Sequence, residues 1–349
     1  MNTMKAAVFE GIEKISLREV PIPTCEKEGI LVRVESCGIC GGDIRNFHNG
    51  LRAGVKEQIM GHEIAGVVVK VGREKPPRFR VGERVAIAPD VSCGECYYCR
   101  RGLVNLCARH RMIGTHWPGG FAQFVYLPNE VLQHGFIEAI PENLSFDEAA
   151  LAEPASSVLA CQEVNNIKLG DTVVIIGDGP IGCLHIEVAK ARGASKVIII
   201  GRRKLELAAE FGPDYSINAL TQNPVEEVKK VTNGLGADIA ICANPVADTQ
   251  EQAIEMVRKR GKVILFGGLP KNDPITTLNS NLIHYNELMI IGSFSYPSTG
   301  LENALKMIAT GQISAAKYVK HRVSLEDVVE GMKYVKDGKT LKVLVKPWA

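Results

Sequence analysis

The stretch that decides the fold runs from Thr172 to Arg203, TVVIIGDGPIGCLHIEVAKARGASKVIIIGRR. An apolar run from Thr172 to Ile176 gives way to a turn with glycine at 177, 179 and 182, then to a helical stretch from Pro180 to Arg192 and a second apolar run from Lys196 to Ile200. Short apolar runs alternating with amphipathic helices indicate a parallel sheet covered on both faces. G-x-G-x-x-G is a weak signal by itself. Placed directly after a strand and at the start of a helix, it has a mechanism: the first glycine allows a tight turn, the second lets the backbone approach a pyrophosphate, and the third lets the helix pack closely. The helix N-terminus then holds the phosphate. Gly177, Gly179, Pro180, Ile181 and Gly182 are therefore expected to bind a dinucleotide, in preference to forming an ordinary glycine turn.

The alternation continues outward through a helix at Lys204 to Phe211, a strand at Ile239 to Ala243, a helix near Asp248 to Lys259 and a strand at Lys262 to Gly267, and loses regularity from Pro270 to Glu287. On the N-terminal side the rhythm differs. Up to about Asp147 the chain reads as short alternating runs, such as Gly29 to Val34, Ile64 to Val71 and Glu83 to Ala88, separated by glycine and proline turns, which indicates a β-rich domain with long loops. A chain of 349 residues also exceeds one ordinary core, so two domains and a cleft between them are expected.

Forty-one basic residues against 39 acidic ones leave no electrostatic footprint for nucleic acid. The first residues carry no secretory pattern and no segment reaches the roughly 18 apolar residues of a membrane helix, so a cytoplasmic protein without membrane partners is expected. A reducing compartment makes metal binding or catalysis the better reading of clustered cysteines. Cys93, Cys96, Cys99 and Cys107 form such a cluster, C-x2-C-x2-C-x7-C. Four thiolates this close can close a tetrahedral shell around zinc at about 2.3 Å, a site that stabilises a loop and has no position open for chemistry. An iron–sulfur cluster is the competing reading, and unliganded surface thiols the bland one. Cys40 in CGICGGD, the adjacent pair His62 and Glu63 in MGHEIAG, and Glu153 in LAEPASS offer a further thiolate, imidazole and two carboxylates. Taken one at a time these are ordinary core, surface or turn residues; only convergence in space would make them a site.

At the end of the second apolar run, where an NAD enzyme carries an acid for the ribose 2′-hydroxyl, the chain reads Gly201-Arg202-Arg203. One charge pair at about 5 Å and an effective dielectric near 20 contributes roughly 3 kcal/mol before screening, which favours NADP over NAD. The bland reading makes the two arginines a solvated helix start.

Several motifs in order, namely G-I-C-G-x-D (Gly38 to Asp43), G-H-E (Gly61 to Glu63), the four-cysteine loop, G-G-F-A-Q-F (Gly119 to Phe124), Glu153-Pro154, G-D-G-P-I-G and the closing G-K-T-L-K-V-L, make the chain resemble the zinc-containing medium-chain alcohol dehydrogenases from Met4 to Pro347. The sorbitol and polyol dehydrogenase branch is the most similar, because it has acidic residues at the positions of Glu63 and Glu153. The resemblance implies an α/β protein: a doubly wound Rossmann domain at residues 154–292, and a β-rich GroES-like catalytic domain at residues 1–153 and 293–349. It implies a catalytic zinc held by Cys40, His62 and Glu63, with Glu153 as a direct or water-mediated fourth ligand, Asp43 orienting His62, and Cys37 structural. A second zinc would fill the four-cysteine loop, and a homo-oligomer, tetramer or dimer, is implied by analogy.

The departures from the family are specific. Gly42 stands where the family has a serine or threonine that relays the substrate proton, and Arg45 where several members have histidine; a water near Glu153, or His48, would have to substitute. Residues near Arg45, Phe47, His116, Trp117 and Ser293 to Tyr296 are expected to line the substrate pocket, although Ser295 replaces an arginine frequent in polyol members. The expected function is hydride transfer between a secondary alcohol of a polyol, cyclitol or sugar derivative, or its phosphate, and NAD(P). A threonine-dehydrogenase-like or simple alcohol dehydrogenase, a zinc hydrolase or lyase on the same fold, and a dinucleotide-binding sensor are the alternatives. The intact ligand set and glycine turn count against the last two.

Overall fold

The computed structural model describes residues 3–26, 28–51, 55–72, 78–297, 299–338 and 340–349. Lys339 of the closing motif therefore lies outside the described residues. Contacts divide the chain into one unit of residues Met1–Ser156 with Tyr296–Ala349, and a second of residues Ser157–Ser295.

The second unit is built on six parallel strands, in spatial order Tyr215–Asn218, Lys196–Gly201, Thr172–Ile176, Ala237–Cys242, Val257–Leu265 and Met289–Gly292. Numbered by sequence within the unit, this order is 3-2-1-4-5-6, the doubly wound arrangement, whose chain reverses direction beside the strand that feeds the glycine turn. The central strands are apolar throughout because both faces are covered: Val174, Ile176, Ile198, Ile200, Ala240 and Val263 are buried in one core. The helix after Gly201 is shorter than its periodicity suggests, Leu205–Ala209. The one expected to run to Lys259 ends at Met256. The strand that follows is irregular: Arg258 Nε binds Asp238 Oδ1 at 2.7 Å, Arg260 has φ 59°, and the ladder jumps from Ala237–Val257 to Ile239–Lys262. The irregular stretch holds a short helix, Ser280–Tyr285, and leads into the sixth strand.

The first unit is β-rich. Its larger sheet runs Val319–Val323, Lys342–Val345, Ile30–Gly38, Glu63–Val71, Arg84–Val91 and Arg111–Met112, with Phe124–Leu127 and Gly135–Ala139 paired alongside. A three-stranded antiparallel sheet joins Lys14–Pro21, Thr3–Gly11 and Gln58–Ile59. The larger sheet positions the site, because Gly38 pairs with Glu63 on one side and with Leu344 on the other. Three segments far apart in sequence thus bring Cys40, Glu63 and Lys342 to one place. Glycine is required at 38, since a Cβ there would lie 1.8 Å from Glu63 Oε2. Among the described residues no helix is long and apolar enough to cross a membrane.

Candidate active site

Cys40 caps the helix Gly41–Asn49, its Sγ accepting from the Gly42 N–H at 3.3 Å. Asp43 completes the capping box, with Oδ2 accepting from the Cys40 N–H at 3.0 Å and Oδ1 lying 3.2 Å from His62 Nδ1. One buried carboxylate therefore fixes both the turn that carries the cysteine and the face that the imidazole presents. Burial works against a charged His62, but Asp43 and Cys40 outweigh it and hold its pKa well above the ordinary value.

One ligand atom each from Cys40, His62 and Glu63 lie within 4.8 Å of one another. Glu63 is fully buried, and so is its partner Lys342, whose Nζ donates to Glu63 Oε1 at 2.6 Å and to the Ile39 carbonyl at 3.3 Å. The ammonium also lies 2.5 Å from Oε2, without hydrogen-bond geometry, so Oε2 is a buried oxygen with a charge beside it and, among the described residues, no hydrogen bond of its own. A thiolate, an imidazole and an under-satisfied carboxylate oxygen match what zinc takes. Sequence reasoning quoted the motif containing Lys342 and missed its role.

Glu153 is not a member of this three-residue group. Its Oε1 accepts from the Tyr296 hydroxyl at 3.0 Å. Burial pushes its carboxyl up to about 7, with His62 pulling it down and Glu63 and Asp90 pushing it further up. Tyr296, expected on the pocket wall, is buried, and Phe294 beside it is exposed. Phe47 is a core residue, Trp117 packs against the same core with the Arg111 guanidinium over its ring, and Arg45 is exposed. His48, partly exposed, has Nδ1 2.8 Å from Glu13 Oε1. A Cβ at Gly42 would meet Cys40 Sγ at 3.7 Å and His62 Cε1 at 3.8 Å, ordinary contacts. Position 42 therefore has room for a side chain. Cys37 is fully buried and burial raises its thiol well above the ordinary value, in keeping with a core role.

Cys93, Cys96, Cys99 and Cys107 gather with all four sulfurs within 4.8 Å. Sulfur pairs 96–99 and 93–99 are 3.4 and 3.9 Å apart, which brackets the roughly 3.8 Å edge of a tetrahedron with zinc–sulfur bonds of about 2.3 Å. Backbone N–H groups of Cys93 and Arg109 donate to Cys107 Sγ at 3.2 and 3.3 Å. The hydrogen bond from the backbone at Glu95 is the main reason that the Cys93 thiol falls to about 5, while burial pushes Cys107 up to about 12. Donors aimed at sulfur stabilise thiolates, the form that binds metal.

In the second unit Gly177 has φ 129°, and a Cβ at Gly182 would lie 1.7 Å from the Gly177 carbonyl oxygen, so these two glycines set the turn and the close packing of the helix Pro180–Ala191. A Cβ at Gly179 would meet nothing within 4 Å, and the helix that begins there has no side-chain cap. Open space in front of an uncapped helix N-terminus fits a pyrophosphate. Arg202 and Arg203 are exposed. The strand end does have an acid, however: Asp178, from inside the glycine turn, reaches across to the backbone of residues 202–204.

The family model for an alcohol dehydrogenase GroES-like domain matches residues 26–137, and that for a zinc-binding dehydrogenase matches residues 180–310. The chain is 35% identical to a sorbitol dehydrogenase of Bacillus subtilis (strain 168), covering 99% of this chain and 98% of the relative. It is 32% identical to a D-xylulose reductase A of Aspergillus oryzae, covering 97% and 95%. Among solved structures, a zinc-binding dehydrogenase from Sinorhizobium meliloti 1021 bound to NADP aligns with a TM-score of 0.91 at 33% identity, over 99% of this chain and 100% of that one.

Proposed function

The chain belongs to the zinc-binding alcohol dehydrogenases with a GroES-like domain, and we propose that it transfers a hydride between a secondary alcohol of a polyol or sugar derivative and NADP, accepted in preference to NAD. The observation that carries this reading is the convergence of Cys40, His62 and Glu63, three unlike ligands in an open set, in a chain that also has a glycine turn suited to a dinucleotide. The alcohol class follows the relatives named for sorbitol and xylulose. The preference for NADP rests on the exposed Arg202 and Arg203 and on the NADP-bound Sinorhizobium structure.

Cys40, His62 and Glu63 would hold a catalytic zinc, and the four cysteines from Cys93 to Cys107 a structural one. A bound zinc lowers the pKa of an alcohol that it polarises, and a nicotinamide takes up the hydride. Asp43 holds Nδ1 of His62 and so leaves Nε2 for the metal. Lys342 neutralises Glu63 from behind, which keeps a buried carboxylate beside a thiolate from loading the site with uncompensated negative charge. Glu153 has one oxygen tied to Tyr296 and the other available to a water or to a substrate hydroxyl, so it can hold the proton for which Gly42 provides no hydroxyl. A cytoplasmic homo-oligomer is carried over from the resemblance.

The test is the absorbance of reduced nicotinamide during a screen of polyols, sugar alcohols and simple alcohols with each dinucleotide. Turnover of secondary polyols by the wild type, abolished in Cys40→Ala and His62→Ala while both variants still bind dinucleotide, is the expected result. Turnover that survives removal of the metal would overturn the mechanism.

A further inference from the structure

Dinucleotide-binding sheets usually place an acid at the end of the second strand, where it accepts the adenosine ribose 2′-hydroxyl and repels a 2′-phosphate. That position is Gly201 here. We propose that Asp178 supplies the missing carboxylate from within the glycine turn and sets the balance between NAD and NADP, an inference that rests on the dinucleotide site argued above.

Asp178 Oδ2 accepts three backbone hydrogen bonds at once, from the N–H groups of Arg202 at 2.8 Å, Arg203 at 2.9 Å and Lys204 at 2.7 Å. The side chain also fills the volume that a residue at 201 would use. A Cβ built on Gly201 lies 2.4 Å from Cβ, Cγ and Oδ2 of Asp178, so an acid at 201 and the present position of Asp178 exclude one another. The glycine at the strand end is thus explained by the aspartate 23 residues earlier: one carboxylate stands there, delivered by a different segment.

The consequence differs for the two cofactors. A ribose 2′-hydroxyl finds a carboxylate already oriented, with Oδ1 making none of the three backbone bonds and so able to accept from it. A 2′-phosphate meets the same carboxylate as a like charge, and reaches the three N–H donors only by displacing it. Arg202 and Arg203, exposed on the same loop, pull the other way. Lys204, whose ammonium interacts with the Asp178 charge, is a third cation, so three cations and one anion act in opposition, and Asp178 is the member that admits NAD.

Calorimetric titration of the zinc-loaded protein with NAD and NADP, compared among wild type, Asp178→Asn and Asp178→Ala, tests this. Asparagine keeps an oxygen that can brace the loop while removing the charge, so it separates electrostatics from folding. The expected result is that both variants bind NADP about tenfold more tightly and NAD about tenfold more weakly, a change in ratio on the order of a hundredfold. Equal weakening of both dinucleotides in Asp178→Ala, with Asp178→Asn like the wild type, would make Asp178 a loop brace and overturn the inference alone. Wild-type protein that binds neither dinucleotide would overturn the inference together with the function on which it rests.

Discussion

At the scale of single residues, the pair formed by Glu63 and Lys342 makes the sharpest statement about the metal. Both side chains are at least 96% buried, and a buried ion pair that loses one partner leaves a charge that costs about 3–5 kcal/mol. Lys342→Met should therefore destabilise the metal-free protein by about that amount. Zinc changes the outcome. If Glu63 Oε2 faces the metal, a bound dication replaces the missing ammonium, so the zinc-loaded variant should lose much less than the metal-free one. Thermal unfolding of wild type and variant, each with and without zinc, measures the difference. An equal loss in both states would mean that Glu63 serves only Lys342 and that the catalytic metal relies on Cys40, His62 and Glu153.

At the scale of elements, the four-cysteine segment has little regular structure to hold it: two short 3-10 turns, Cys99–Arg101 and Val104–Leu106, with Tyr97, Leu103 and Leu106 exposed. Such a segment lacks a core of its own, so the proposed structural zinc would supply the cohesion. Purified protein should contain two zinc ions per chain by elemental analysis. Cys99→Ser should retain one and lower the melting temperature, and hydrogen exchange should rise over residues 93–107 before it does elsewhere. One zinc in a fully folded wild type, with these thiols freely titratable, would remove the structural site. This element was legible in the sequence because its ligands fall within fifteen positions, as was the glycine turn, whose spacing encodes backbone geometry directly. The parallel strands were legible because both of their faces are apolar. Lys342 was not, since 279 residues separate it from Glu63 and only the register Glu63–Gly38–Leu344 joins them. Asp178 was hidden for a different reason. An acid at the strand end would show in the local pattern, whereas a carboxylate delivered from the neighbouring turn leaves no mark on it.

At the scale of the whole molecule, the two units should answer acid differently. His185, on the helix after the glycine turn, is fully buried: Nδ1 accepts from Gln162 Nε2 at 3.0 Å, Nε2 has no hydrogen-bond partner among the described residues, and the ring packs edge-on against Phe266. Burial pushes its pKa down to about 3. In the unfolded chain a histidine titrates near 6.5, so between those values the unfolded state binds a proton that the folded state refuses. The stability that His185 permits is fully present above about 6.5 and is lost as pH falls toward 3, amounting to about 2 kcal/mol between pH 7 and pH 5. In the first unit the half-buried Asp147 also loses its contribution on acidification, but at lower pH. Burial raises the Asp147 carboxyl, but Lys346, Ser36 and Arg322 together hold it below the ordinary range, and its contribution is lost only as pH falls through that lowered value. Acidification from pH 7 to 5 should therefore raise hydrogen exchange in strands Thr172–Ile176 and Lys196–Gly201 of zinc-loaded protein, by roughly tenfold or more where exchange follows opening of the whole unit. His185→Leu removes the titrating ring while Gln162 keeps its bond to the residue 185 carbonyl, and should flatten that dependence. A slope that persists unchanged in His185→Leu would show that another group senses acid in this unit and that His185 is protonated or solvated in the native protein.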